Sequence, residues 1–337
     1  MSPQVTAAII AASVSFLTLI GTLAAQYFGR RATSRDTRKA LEEQGKQLDR
    51  TLAEQHTRTL NERFATAAGQ LGDDERPTVR LAGVYAMAGL ADDWPENRQT
   101  CVDVLCGYLR MPYEPDPGQD APNPERLAFR ANREVRHSVI GVITAHLEND
   151  AAVSWQGLNL DFTGAVFDGG SFLTAQFSGR RVSFERAEFS AGTVYFIGAR
   201  FSGGTVSFIG ARFSGGEVSF DAAEFSAGRV AFDRAEFSGG EVDFDYAMFS
   251  AGTVSFDRAE FSAGTVSFVG AEFSGGTVSF PRAEFSGGTV SFDRAEFSGG
   301  TVDFSDPGDW SFPPEFPWTD TPPPGVKLPR KEDESQA

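Results

Sequence analysis

The chain has 337 residues and a formal net charge of −16, with 31 Phe against 6 Tyr and 4 Trp, 36 Gly, 2 Cys and 3 His. So acidic a chain lacks the basic surface with which general nucleic-acid binders displace counterions, and direct nucleic-acid binding is disfavoured. Two Cys do not make a disulfide scaffold, and His56, His137 and His146 do not fall at metal-ligand spacing, so neither a metal nor a cofactor site is expected.

After a short N-terminus (residues 1–4), residues 5–28 form a span of 24 residues without a charge. As a helix at 1.5 Å per residue it reaches roughly 36 Å, enough for a ~30 Å hydrocarbon core with some tilt. The alternatives are a cleaved signal peptide and a buried helix, but Met-Ser-Pro-Gln lacks the positive n-region of a signal peptide. Arg30, Arg31, Arg35, Arg38 and Lys39 follow the span. By the positive-inside rule the C-terminal bulk then stays cytoplasmic, so a single-pass protein of the cell membrane is expected, contacting the bilayer through residues 5–28.

Residues 29–70 have helix-forming composition, with a thin stripe of Leu41, Leu48, Leu52 and Leu60. A solvated juxtamembrane helix is the default, and weak homo-oligomerisation through that stripe is the sharper reading. Residues 71–150 read as a small helical domain. Val79, Val84, Met87 and Leu90 mark one apolar face, Cys101, Val102, Leu105, Tyr108 and Leu109 a second, and Val135, Val139, Ile143 and Leu147 a third. Cys101 and Cys106, five apart, point in different directions from a helix and read as buried thiols. His137 and His146 read as structural or surface residues.

Residues 151–306 are dominated by internal repetition. From Ala187 the unit A-x-F-S-[GA]-G-x-V-x-F-x-x recurs ten times without a slip, so Phe-to-Phe steps alternate five and seven. Upstream, Phe162, Phe167, Phe172 and Phe177 are separated by pure fives. One 12-residue turn is too short to enclose two Phe, a Val and an Ala. Two units per coil give four sides, each with one inward Phe, and coils ~4.8 Å apart. Ten units make five coils, with about one more from Leu158 to Phe177. The Gly-x pair of each unit, Gly204-Thr205 for example, is the expected widened corner. An antiparallel array is the alternative, but the Asn-Gly and Asp-Gly signals of its hairpins are missing.

The A-x-F units stepping by five resemble the pentapeptide-repeat family. That resemblance implies an all-β, right-handed quadrilateral β-helix, a solenoid whose repeat is here 12 residues (5+7). The chain departs from the family by two extra residues in every second step. Glu62-Arg63-Phe64, Ala68-Gly69-Gln70-Leu71-Gly72, Val79 to Met87 and Val104 to Arg110 resemble the helical module preceding such repeats in many bacterial, especially actinobacterial, membrane-anchored proteins. The expected fold is therefore a transmembrane α-helix, a small α-helical domain and the solenoid. Residues 307–337 form a Trp/Pro-rich cap and a disordered tail: Trp310, Phe312, Phe316 and Trp318 cover the last coil, and Pro322-Pro323-Pro324 begins the extended part.

Function can be written only on the exposed columns. Residues 181–304 carry 9 Arg, no Lys and 17 acids, half of the net charge. Glu224, Glu236, Glu260, Glu272, Glu284, Glu296, Asp233, Asp257 and Asp293 form the candidate interaction surface; the plain reading is that they only keep the solenoid soluble. The expected function is non-catalytic: a membrane-anchored, rigid, acidic solenoid that binds an unknown protein partner or acts as a scaffold on the cytoplasmic face. The alternative is a DNA mimic acting on gyrase or another DNA-binding protein, as the resemblance implies for some members. A hydrolase or transferase has least support, because no nucleophile–base set interrupts the repeat.

Overall fold

A computed structural model describes residues 3–330, with side chains for 18–27 and 38–330. Four helices, α1 (Pro3–Leu71), α2 (Pro77–Asp93), α3 (Arg98–Arg110) and α4 (Asn123–Leu147), precede short parallel strands. Contacts divide the chain into two units, Met1–Glu62 and Arg63–Ala337. In the first unit, Leu41, Leu48 and Leu52 are all exposed on α1. Among the described residues no helix is long and apolar enough to cross a membrane. Most of the 5–28 span falls where side chains lie outside the described residues.

In the second unit, α2, α3 and α4 pack around Val84, Met87, Leu90, Val102, Leu105, Val139, Ile143 and Leu147, all buried as their helical spacing predicts. Val79 stays half-buried. Cys101 and Cys106 are free and buried, and burial pushes the Cys106 thiol up to about 12. Gly83 lets the end of α1 approach, since a Cβ there would lie 2.6 Å from the Leu71 amide.

The solenoid has two units per coil. Gly170 pairs with Val194, Glu188 with Arg212, and Thr205 with Arg229, each 24 residues on and parallel. The first coil is two residues shorter: Leu160 pairs with Val182 and Val166 with Glu188. The pure-five steps upstream thus share one stack with the five-and-seven steps downstream.

Inside, four Phe columns start at Phe162, Phe167, Phe172 and Phe177. Stacked centroids lie between 4.4 Å for Phe280–Phe304 and 5.2 Å for Phe177–Phe201. The Phe162 and Phe172 columns meet edge to face, as at Phe184–Phe196, 5.6 Å and 84°. The Ala of each unit and its Val are buried beside them.

Corners are of two kinds. The seven-residue step turns at the expected Gly: Gly204 has φ +59°, and a Cβ there would fall 1.9 Å from the carbonyl oxygen of Gly179. The five-residue step turns at the last position of the unit, where φ is also positive though the residue is often Arg, as at Arg234 (+57°) and Arg258 (+55°). An L-residue is disfavoured in that region. Its amide compensates by bonding to the coil above, Arg234 to the Asp257 carbonyl at 2.7 Å and Arg258 to the Pro281 carbonyl at 2.9 Å.

Both ends of the stack are covered. At the N-terminal end, α4 supplies a donor to one first-coil carbonyl after another. Arg133 donates to Asp168 O (2.9 Å), Arg136 to Val166 O (2.8 Å) and Thr144 to Ser171 O (2.7 Å). On α3, Gln99 pairs both ways with the Asn159 backbone, at 2.8 and 3.0 Å. The helical segment is thus the solenoid's cap rather than a detached domain. At the C-terminal end, Trp310 lies edge-on to Phe285 (5.2 Å), Phe316 stacks on Phe292 (5.5 Å) and Trp318 lies edge-on to Phe297 (5.2 Å). Phe312 does not join them: it is 56% exposed. The chain past Pro322-Pro323-Pro324 returns as a strand, Val326–Lys327, pairing with Val302 and Asp303. Counting this final turn, the stack has about seven turns rather than six.

Phe244 lies between Phe220 (4.7 Å) and Phe268 (4.8 Å) and is fully buried. Phe244→Ala should cost ~3–5 kcal/mol, and Glu236→Ala at most ~0.5 kcal/mol, read from denaturant melts; equal costs would reverse the inside–outside assignment. Deleting Ala247–Arg258 removes half a coil and leaves Phe on Phe. Deleting Val254–Arg258 puts wide corners over tight ones. The twelve-residue deletion should therefore melt at the higher temperature, and the opposite order in thermal scans would refute the two-corner geometry.

Candidate interaction surface

The pairing register sorts the nine candidate carboxylates into four columns. Glu236, Glu260 and Glu284 stack in one, continuing Glu188 and Arg212. Glu224, Glu272 and Glu296 stack with Arg200 and Met248 in another, half a coil away and so on the opposite side. Asp233 and Asp257 share one five-step corner, and Asp293 stands at the other. The nine residues therefore do not form one face.

Pairing grades along the axis. Arg212 reaches Glu188 and Glu236, both at 3.3 Å, and Arg200 reaches Glu224 at 2.9 Å. Arg229 holds Asp233 at 2.9 Å, and Arg282 clamps both oxygens of Asp257 at 2.7 and 2.8 Å. Among the described residues, no ion pair involves Glu260, Glu272, Glu284 or Glu296. Carboxylates of like charge stacked in a sheet repel, so the C-terminal half carries two unneutralised acidic ladders on opposite sides.

The densest acidic group is one the nine omit. Glu217 stacks on Glu241, and Ser219 on Asp243, with Asp221 and Asp245 at the adjoining corner. Its signal is the substitution of G-T-V-S-F by G-E-V-S-F-D at 216–221 and G-E-V-D-F-D at 240–245, two units apart and hence one above the other. Ser267 donates to the Asp245 carboxylate, and the Asp245 amide donates to Asp243 at 2.9 Å. Burial, with the charges of Asp245 and Asp221 beside it, pushes the Asp243 carboxyl up to about 6.

At the junction with the helices, Asp168 accepts from the Tyr113 hydroxyl (2.7 Å), from His137 (3.1 Å) and from Arg133 (3.2 Å). Burial alone would raise its pKa, but the hydrogen bonds from His137 and Tyr113 and the Arg133 charge outweigh it and hold the carboxyl below its ordinary range. His146 stacks on Trp155 at 3.9 Å, and both reach Asp92. Both histidines thus serve the junction. Two clefts flank the 113–117 loop, one of about 580 Å³ against the first coils and one of about 400 Å³ against α4. Among the described residues no three His, Cys, Asp or Glu side chains are placed to hold a metal ion.

Neither a protein-family model, nor a curated protein, nor a solved structure matches the chain. Regular coils with stacked Phe are consistent with a pentapeptide-repeat type of protein.

Asp243 binds its proton more tightly in the fold than in the unfolded chain, where the reference value is 3.8. Its native environment therefore favours folding at pH 4, and that advantage is lost as pH rises through about 6. Asp243→Ser restores the Ser of neighbouring coils. At pH 7.5 it should stabilise by about 1–2 kcal/mol, a figure reduced for solvent screening, with little effect at pH 4. A lower melting temperature at pH 7.5 would contradict the assignment.

Proposed function

We propose that the chain is a non-catalytic, membrane-anchored protein of pentapeptide-repeat type that presents its solenoid to a protein partner on the cytoplasmic face. The observation that carries this reading is the rigid stack itself. Its interior is filled by four columns of buried Phe, while its exterior holds side chains in fixed columns. Such a surface loses little conformational entropy on docking, which favours binding by complementary charge. The unpaired ladders Glu260/Glu284 and Glu272/Glu296 suit a partner with basic residues. The anchor rests on the uncharged 5–28 span and its Arg-rich flank, and the exposed Leu41, Leu48 and Leu52 stripe suits weak pairing of two such anchors.

DNA mimicry on gyrase fits less well, since Arg200 and Arg212 interrupt the columns and the ladders lie on opposite sides.

Affinity capture with the full-length tagged protein, read by mass spectrometry after crosslinking, tests the surface. Glu272→Gln with Glu296→Gln should keep the melting temperature within ~3 °C, being exposed, and should lower recovery of the crosslinked partner several-fold. Unchanged recovery from this variant and from Glu260→Gln with Glu284→Gln would exclude the ladders. The anchor is checked separately: the full chain should sediment with membranes and resist carbonate extraction, and release of a shortened chain into the medium would replace the anchor by a signal peptide.

A further inference from the structure

The cleft of about 400 Å³ between the 113–117 loop and α4 is separate from the acidic ladders. Its volume falls in the range of ligand sites. The rings of Tyr113 and Phe129, stacked at 5.8 Å, form an apolar floor, and Pro115 and Pro117 fix the loop that faces it. Three carboxylates line it, Glu114, Asp116 and Glu125, and no basic residue does. None of the three is in an ion pair among the described residues. Asp116 spends one oxygen on the Gly118 amide at 2.8 Å, which helps to hold the loop.

The loop is anchored from behind. The Tyr113 hydroxyl donates to Asp168, and the Arg136 guanidinium lies 4.3 Å from the centre of the Tyr113 ring. The aromatic floor is thus positioned before any ligand arrives, which lowers the ordering cost of binding. An anion would meet three like charges. A neutral apolar group would leave carboxylates facing it without a counter-charge. A cation on an apolar stem satisfies both surfaces: the stem covers the rings, the charge meets the carboxylates, and the Phe129 ring adds a cation–π attraction, the Tyr113 ring being already engaged by Arg136.

We propose that this cleft binds an arginine side chain, together with an adjoining apolar residue, from an extended segment of a partner protein. The guanidinium lies flat on Phe129 and takes its counter-charge from Asp116 and Glu125. The inference rests on the reading of the chain as a protein-binding one, but not on the acidic ladders as the surface used.

The probe is a fluorescein-labelled peptide, Leu-Arg-Leu-Arg-Leu, titrated into the full-length protein by anisotropy at low and moderate salt. The same peptide with citrulline for arginine keeps the shape and loses the charge. Saturable one-to-one binding is expected, at least tenfold weaker for the citrulline peptide, for Phe129→Ala and for Asp116→Asn. Phe129 is half-buried and Asp116 exposed, so both variants should stay folded, with a melting temperature lowered by no more than ~5 °C, measured alongside. Glu272→Gln with Glu296→Gln should leave the affinity unchanged. Affinity lost in that ladder variant but kept in Phe129→Ala would overturn the cleft while preserving the ladder surface. Equal binding of the citrulline peptide, absence of saturable binding, or displacement by free hexylammonium at the peptide's own affinity would overturn the arginine-segment assignment.

Discussion

One distance governs the solenoid: the spacing between coils. Parallel backbone ladders set it near ~4.8 Å, and the Phe columns must accept the same value, as their centroid separations of 4.4 to 5.2 Å show. That spacing exceeds the ~3.5–4 Å of close carbon contact, so parallel rings touch only if offset, an arrangement favoured by their quadrupoles. Backbone and core therefore ask for one repeat, and the 24-residue coil follows. The exterior has no such freedom: whatever the sequence places at one position stands directly against its copy in the next coil. Glu on Glu is the consequence, relieved where Arg200 enters one column and Arg212 the other, and unrelieved toward the C-terminus.

A stack held in this way has a second requirement, at its ends. Each terminal coil would otherwise leave carbonyls and amides without partners and ring faces in water. The two ends answer differently because they have different material at hand. The first coil has its carbonyls met by α4, whose Arg133, Arg136 and Thr144 fall on one helix face. Gly169 and Gly170, both with φ near +130°, let that helix come close; a Cβ on Gly170 would lie 2.8 Å from Ile140 Cδ1. The last coil has its ring faces met by Trp310, Phe316 and Trp318, and its backbone by the strand at Val326.

The period, the inward Phe and Ala, and the Gly corner are legible in the sequence because each is repeated ten times in register. The other corner is not legible: Arg234 and Arg258 carry no mark of positive φ, and only the amide bonds to the next coil make that conformation tolerable. The capping role of α4 is hidden for a similar reason. Arg133, Arg136 and Thr144 read as one polar helix face, and a polar face usually meets water. The nine candidate carboxylates follow a repeat position faithfully, yet alternate units fall on opposite sides, so a pattern continuous in sequence becomes two separate ladders in space. The group around Asp243 is hard to read in the sequence because Glu217, Glu241 and Asp243 break the repeat instead of following it.

Departures from the repeat settle what the repeat leaves undetermined. A stack of identical coils could slip by one coil and lose nothing but an end. Tyr246, at positive φ, lies where the next coil offers Gly270; a Cβ at Gly270 would come within 2.8 Å of the Tyr246 ring. Gly at that corner lets the Tyr246 ring lie against the next coil, and a unit ending in Arg would push the ring aside. The short first coil adds a second constraint, since its five-residue side fits beneath a seven-residue side only where α4 fills the step. A few irregular residues thus favour one register, while the many regular ones supply the stability. A partner that must recognise one place on so repetitive a wall has only these same irregularities to read: the arginines among the glutamates, the carboxylates around Asp243, and the helix-built cleft at one end.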